Sequence, residues 1–132
     1  MGDVDVSALI NLSFDDADIF ARLGALAPAE LDFGVIGFNA DSVVTTYNVF
    51  ESKAAGLSIG SVVGQPIFTT VAPCMNNFMV AQRFEDAAAQ NEVLDATIDY
   101  VLTLRMRPVK VALRLLARPG QATRYVLVRR RS

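Results

Sequence analysis

In several runs after Leu31, apolar residues recur mostly at every second position, the spacing of strands that bury one face. LDFGVIGFN and SVVTTYNVF are two such runs, rich in β-branched and aromatic residues, and Asn39-Ala40-Asp41 between them fits a hairpin turn. ATIDYVLTLRM puts Ile98, Tyr100, Leu102, Leu104 and Met106 on one strand face. VKVALRLLA turns Val109, Val111, Leu113 and Leu115 inward, and RYVLVRR closes the set after a Pro119-Gly120 turn. Helical spacing appears elsewhere. Residues 7–30 suggest two short helices, the second with an Ile19, Phe20, Leu23, Leu26 stripe, a start at Ser13 or Asp15 and an end at Gly24 and Pro28. ESKAAGLSIGSVVGQPIF reads as short helical turns broken by Gly56, Gly60 and Gly64. Past a β-type apolar run ending at Pro73-Cys74, Asn76 or Asn77 could cap a helix that buries Phe78, Ala81 and Phe84 and continues to about Gln90. Two strands, short helices, a longer helix and three strands imply an α+β domain: a five-stranded antiparallel sheet with helices on one face.

Composition narrows the function classes. The 132 residues, 52% of them hydrophobic, suffice for one domain with a single sizeable core. No stretch approaches the ~18 consecutive apolar residues of a membrane span, and the opening MGDVDVSALI has no early base, unlike a secretory signal. Histidine is absent, so no Cys-His pair, Ser-His-Asp triad or histidine-based metal site can be built, and neither a P-loop nor a GxGxxG turn is present. One cysteine allows no internal disulfide, which fits a reducing compartment, and the expected setting is the cytoplasm. The net charge of −2 conceals an uneven distribution: all 14 acids precede residue 100, with only Arg22, Lys53 and Arg83 as bases, and residues 100–132 hold nine bases and no acid. Arg129-Arg130-Arg131 could meet nucleic acid or anionic lipid. The bases alternate with apolar residues without aromatic clustering, however, so the expected arrangement is cations on terminal strands complementing the acidic first part, with no nucleic-acid partner.

The candidate chemistry centres on Cys74. A lone cysteine in isolation reads as a small buried hydrophobe, Tyr47 as a strand tyrosine, Glu51 as a solvated acid or a helix N-terminal charge, and Met106 as core filler. A thiol enzyme lacks a histidine to activate the sulfur, so no enzymatic activity is expected. The run TYNVFES…VVGQPIFTTVAPC, with Tyr47 and Glu51 spaced before Cys74, resembles the photoactive yellow protein family, PAS-fold blue-light receptors whose one cysteine carries p-coumaric acid (4-hydroxycinnamic acid) as a thioester. Met106 before Arg107-Pro108 fits that family's Met-Thr-Pro segment after one inserted residue.

The resemblance spans roughly residues 31–130. It implies an N-terminal helical cap over 1–30 and a PAS core with the pocket over 31–132. Cys74 would carry the thioester, and Tyr47 and Glu51 would hydrogen-bond the phenolate. Ile36, Val71, Ala72, Pro73, Tyr100 and Leu102 would line the pocket, with Met106 assisting dark recovery. Ala55 stands where the family has a threonine and Leu57 where it has an arginine, and both changes should raise the chromophore's own pKa. A buried phenolate needs donors, and Glu51 can donate only while protonated. N–H groups at the helix start after Cys74 would face the thioester carbonyl. On illumination Glu51 would give up its proton, leaving an uncompensated carboxylate with no arginine near it in sequence, and the N-terminal helices would loosen as a signal to an unidentified downstream partner. The expected form is a monomer or weak dimer with no metal. The alternative is a PAS ligand-sensing or interaction module without the pigment.

Overall fold

The computed structural model describes residues 12–25, 31–104 and 107–130. Five strands form one sheet: β1 (Gly34–Phe38), β2 (Val44–Tyr47), β3 (Leu94–Leu104), β4 (Arg107–Ala117) and β5 (Arg124–Arg130). Every pairing is antiparallel and the order is β2-β1-β5-β4-β3. The two hairpins expected from the alternation therefore meet where β1 pairs with β5, with Ile36 opposite Val126 and Gly34 opposite Val128.

Strand alternation divides the apolar residues between two cores. On the inner face, Ile36, Phe38, Val111, Leu113, Leu115, Val126 and Val128 pack with Phe84 and Ala87 of the longest described helix, α4 (Ala81–Gln90). Phe38 meets Phe84 and Phe68 edge-on, with centroids 4.9 and 5.5 Å away. On the outer face Val35, Ala112, Leu116, Tyr125 and Leu127 are covered by Leu12, Phe14 and the Ile19, Phe20, Leu23 stripe of α1 (Ile19–Ala25). Residues 111–117 of β4 and 125–128 of β5 are buried from both sides, which is why these segments run nearly continuously apolar. The expected stripe is present at Ile19, Phe20 and Leu23; Leu26 and Pro28 fall outside the described residues, as does the first of the two short helices before Leu12. Ser13 Oγ accepts from the Asp15 N–H in a turn ahead of α1, and Asp16 Oδ1 accepts from the Asp18 N–H.

Four local expectations need correction. SVVTTYNVF leaves the strand after Tyr47, because Asn48 caps α2 (Val49–Ala55) by accepting the Glu51 N–H at 3.1 Å. Gly56, at φ 71°, ends α2 as a left-handed cap, but Gly60 lies inside a short helix, α3 (Ile59–Val62), and breaks nothing. The apolar run before Cys74 is a π-helical turn (Ile67–Val71), not a strand. Phe78, expected inside, is 79% exposed. Asn77 does act as an entry cap, accepting from the Met79 and Val80 N–H groups, so α4 begins only at Ala81 and turns Ala81, Phe84 and Ala87 inward.

Candidate functional site

Cys74 sits on a 3₁₀ turn (Pro73–Met75) that follows the π-helical turn directly. Pro73 presets φ for this turn and is itself exposed, so it shapes the approach without lining the interior. Expected donors after Cys74 are already committed: the Met75 N–H goes to Ala72 O at 2.9 Å and the Asn76 N–H to Pro73 O at 3.1 Å. The Cys74 side chain is half-buried against the inner core. Its backbone carbonyl accepts from Tyr100 Oη at 2.5 Å and from Asn77 Nδ2 at 3.1 Å, and Asn77 Nδ2 also reaches Tyr100 Oη at 2.5 Å. Helix entry, cysteine turn and strand β3 are thus tied at one point. Tyr100 also lines a cleft of about 610 Å³ with Met79, Asp99, Val101, Lys110 and Val111.

The second part of the site lies where β2, α2 and β5 converge. Tyr47 ends β2 opposite Ile36 and is buried. Burial pushes its phenol well above the ordinary value; the charge of Glu51 adds to the rise and Arg130 opposes it. Tyr47 is therefore a neutral O–H donor across the physiological range. Glu51 is 2% exposed and stands in the first turn of α2. Asn48 holds that turn to the sheet, since its Oδ1 also accepts the Val35 N–H at 2.9 Å and its Nδ2 donates to Phe33 O at 2.9 Å. The Glu51 carboxylate lies against the β1 backbone, where a Cβ on Gly34 would stand 2.1 Å from Oε1.

Glu51 has an arginine partner after all. Arg130 Nη1 donates to Oε1 at 2.7 Å and Nη2 to Oε2 at 3.0 Å. Sequence distance concealed it, yet the period of two along β5 puts Arg130 on the inner face with Val126 and Val128, and that signal was available. Arg114 and Arg129 likewise pair with Asp95 and Asp15, so these late bases do complement the acidic first part, although Arg114 is buried and not water-facing.

Ile36, Tyr47, Val71, Ala72 and Leu102 belong to one buried cluster, and Leu57, Cys74 and Tyr100 pack against it. Ala55 is buried at the end of α2. Met106 lies outside the described residues. Asn48, Asn77, Gly34 and Arg130 are the site residues the sequence did not single out for function. Among the described residues no cluster of three metal-ligating side chains occurs, and no helix is long and apolar enough to cross a membrane.

No family model matches the chain. The photoactive yellow protein of Halochromatium salexigens is 33% identical to it over 101 residues, 74% of this chain and 80% of that protein. The chain belongs to the photoactive yellow protein family. The family's representative from Rhodothalassium salexigens is 29% identical over 103 residues, 76% of this chain and 82% of that protein. In structure, the photoactive yellow protein domain of the sensor histidine kinase Ppr from Rhodospirillum centenum superposes with a TM-score of 0.68 at 33% identity, covering 75% of this chain and 92% of that domain. A PAS domain of an HTR-like protein from Haloarcula marismortui, at 17% identity, a TM-score of 0.60 and coverage of 86% and 98%, shares the fold alone. The expected α+β PAS fold and the family resemblance both stand: this is a PAS domain of the photoactive yellow protein type.

Tyr47 and Tyr125 are both raised, chiefly by burial. An acid held protonated in the folded chain binds its proton more tightly there than in the unfolded chain. Its contribution is fully present below the unfolded tyrosine value of about 10 and declines as pH rises past it. Urea-unfolding stability should hold to about pH 9, then fall by up to about 1.4 kcal/mol per pH unit for each tyrosine. Tyr47→Phe and Tyr125→Phe should each flatten that alkaline slope.

Proposed function

We propose that the chain is a blue-light photoreceptor that carries p-coumaric acid as a thioester on Cys74. Family membership supports this reading, and the observation that carries it is the placement of Cys74: a rigid turn, locked through Tyr100 and Asn77, presents the chain's one thiol to the same buried cluster that contains Tyr47, beside Glu51. These residues suit the group. The sulfur is accessible enough to be acylated, the apolar wall of Ile36, Val71, Ala72 and Leu102 suits an aromatic ring, and Tyr47 stays protonated to donate toward a phenolic oxygen.

Cys74 would hold the group through its sulfur by acyl exchange with an activated p-coumarate, a C–S bond replacing the bond to the activating group, which would leave with the electron pair. When bound, the p-coumaroyl group supplies the blue absorption and the light-driven double-bond isomerisation. Tyr47 Oη would donate to its phenolic oxygen, Glu51 would hold or release a proton at its carboxyl group beside it, and the inner core would exclude water from both. A change of charge at Glu51 would alter the pull on Arg130 and on β5, whose preceding residue, Arg129, holds the N-terminal segment through Asp15 and the Phe14 ring. Loosening of that segment is the output presented to a downstream signalling protein, from a cytoplasmic domain that acts as a receptor and not as an enzyme.

Apoprotein incubated with activated p-coumarate should gain the mass of one p-coumaroyl group on Cys74 and acquire a light-sensitive absorption band. Cys74→Ala should gain neither. An unmodified wild-type thiol under these conditions would overturn the reading and leave a PAS module that senses some other ligand.

A further inference from the structure

β3 is an edge of the sheet. β4 pairs with one side of it, and among the described residues no strand pairs with the other. An open edge is a template for another chain, and proteins usually blunt it with a short strand, a bulge, a proline or a lysine. The opposite edge follows that rule: β2 has four residues, and its register against β1 slips between Gly37 and Phe38. β3 does not. Its eleven residues, LDATIDYVLTL, contain no proline, glycine or lysine, and their register against β4 runs unbroken from Leu94 to Leu104. Apolar surface lies beside this edge. Phe78, between the Asn77 cap and α4, is 79% exposed, Met79 is 36% exposed and Val101 46%. Met79 and Val101 also line the cleft of about 610 Å³, together with Tyr100, Lys110 and Val111. The Asn77 bond to Tyr100 Oη fixes Phe78 next to that cleft.

We propose that a second copy of this chain docks here, the two β3 strands pairing antiparallel about a two-fold axis at Tyr100 while Phe78 of each copy enters the cleft of the other. Ring and cleft, acid and cation all belong to one chain, which is what an isologous contact requires. With Tyr100 opposite Tyr100, residues 97–103 overlap and the pleat sets like face against like face. Ile98 then meets Leu102 on the inner face, and Thr97 meets Thr103 on the outer one. Asp99 stands opposite Val101 of the second copy, so no acid opposes an acid. A two-residue slip toward the N-terminus would set Asp99 against Asp99, and repulsion disfavours it. Val101 pairs with Lys110 of β4, so exposed Lys110 shares a row with Asp99 of the second copy. Two strand spacings, about 10 Å, separate them, a span that the lysine stem covers. The joint lies against the cysteine turn, since Tyr100 also donates to the Cys74 carbonyl at 2.5 Å.

Sedimentation velocity of the chain between about 5 and 500 µM should show a reversible monomer–dimer equilibrium, as suits a joint at the small end of protein interfaces. V101D, which sets an acid opposite Asp99, and F78S, which withdraws the ring, should each weaken the dimer at least about tenfold. K110E should weaken it too, and D99K/K110E, with the two charges exchanged, should recover the wild-type affinity. Circular dichroism and urea midpoints check that each variant is folded. As concentration rises, hydrogen exchange should slow at alternate amides of residues 97–103 and stay unchanged in β2. A chain that is still monomeric at the highest concentration overturns the proposal and leaves the β3 edge to a strand from another protein. A dimer at full strength in V101D and F78S, or one whose protection appears away from β3, overturns it as well. A D99K/K110E dimer no stronger than that of K110E overturns the register.

Discussion

Replacing Arg114 with methionine should lower the stability of the folded chain by about 3 kcal/mol and expose residues 12–16 to protease and to hydrogen exchange. Arg114 lies on the outer face of β4 and its side chain is only 8% exposed. Its Nη1 donates to the carbonyls of Phe14 at 2.9 Å and Asp16 at 2.8 Å, while Nε and Nη2 grip both Asp95 oxygens at 2.9 Å. Methionine fills similar volume but donates nothing, so the buried Phe14 carbonyl loses a charged donor and the segment covering the outer core loses its anchor. Arg129 makes the useful contrast. It also reaches the segment, through Asp15 at 2.9 Å and over the Phe14 ring at 4.5 Å, but both partners of the ion pair are largely exposed. Such a pair contributes at most about 1 kcal/mol, with a similar addition from the ring. Urea unfolding of the two variants separates the roles. Equal losses would mean that the segment is held by its apolar contacts, with Arg114 merely passing through.

The Arg114 bonds, ahead of burial, also hold the Asp95 carboxyl below the usual aspartate range. A depressed acid contributes stability above its unfolded value, and that contribution disappears as pH falls through the folded one. Acid should therefore loosen the N-terminal segment along with the pair, to an extent limited by the 44% exposure of Asp95.

Much of the sheet was legible because strands with one buried face must alternate. Ile98, Tyr100 and Leu102 along β3, and Val111, Leu113 and Leu115 along β4, face inward as the period requires. Helix boundaries were not, because they turn on side chains that compete with the backbone for hydrogen bonds. Asn48 takes the Val35 and Glu51 N–H groups and so ends a strand that β-propensity would have carried through Phe50. Asn77 delays α4 by the same chemistry and leaves Phe78 outside. The π-helical turn at Ile67–Val71 is composed of residues that favour strands, and only tertiary packing of Ile67, Phe68 and Val71 explains it. At the candidate site, Cys74, Tyr47 and Glu51 were singled out through family spacing. The period of two along β5 places Arg130 on the inner face, but its meeting with Glu51 required the register of β5 against β1, which no local pattern supplies.

That register makes Gly34 the most sensitive position near the site. Gly34→Ala should cost about 2–4 kcal/mol, because the new Cβ would stand 2.1 Å from Glu51 Oε1 and 3.0 Å from its carboxyl carbon. The carboxylate must move, and moving it breaks both bonds to Arg130 within a buried site. Glu51→Ala alone should also destabilise, since it leaves the guanidinium unpaired. The informative measurement is the double mutant. With the carboxylate gone, what remains against an alanine at 34 is the Cβ of residue 51 at 3.1 Å, a contact that a shift of a few tenths of an ångström relieves. The two losses should therefore fall well short of additive, by 1 kcal/mol or more in a double-mutant cycle. Strict additivity would place the Gly34 penalty in the strand backbone, and would mean that the carboxylate does not rest on β1.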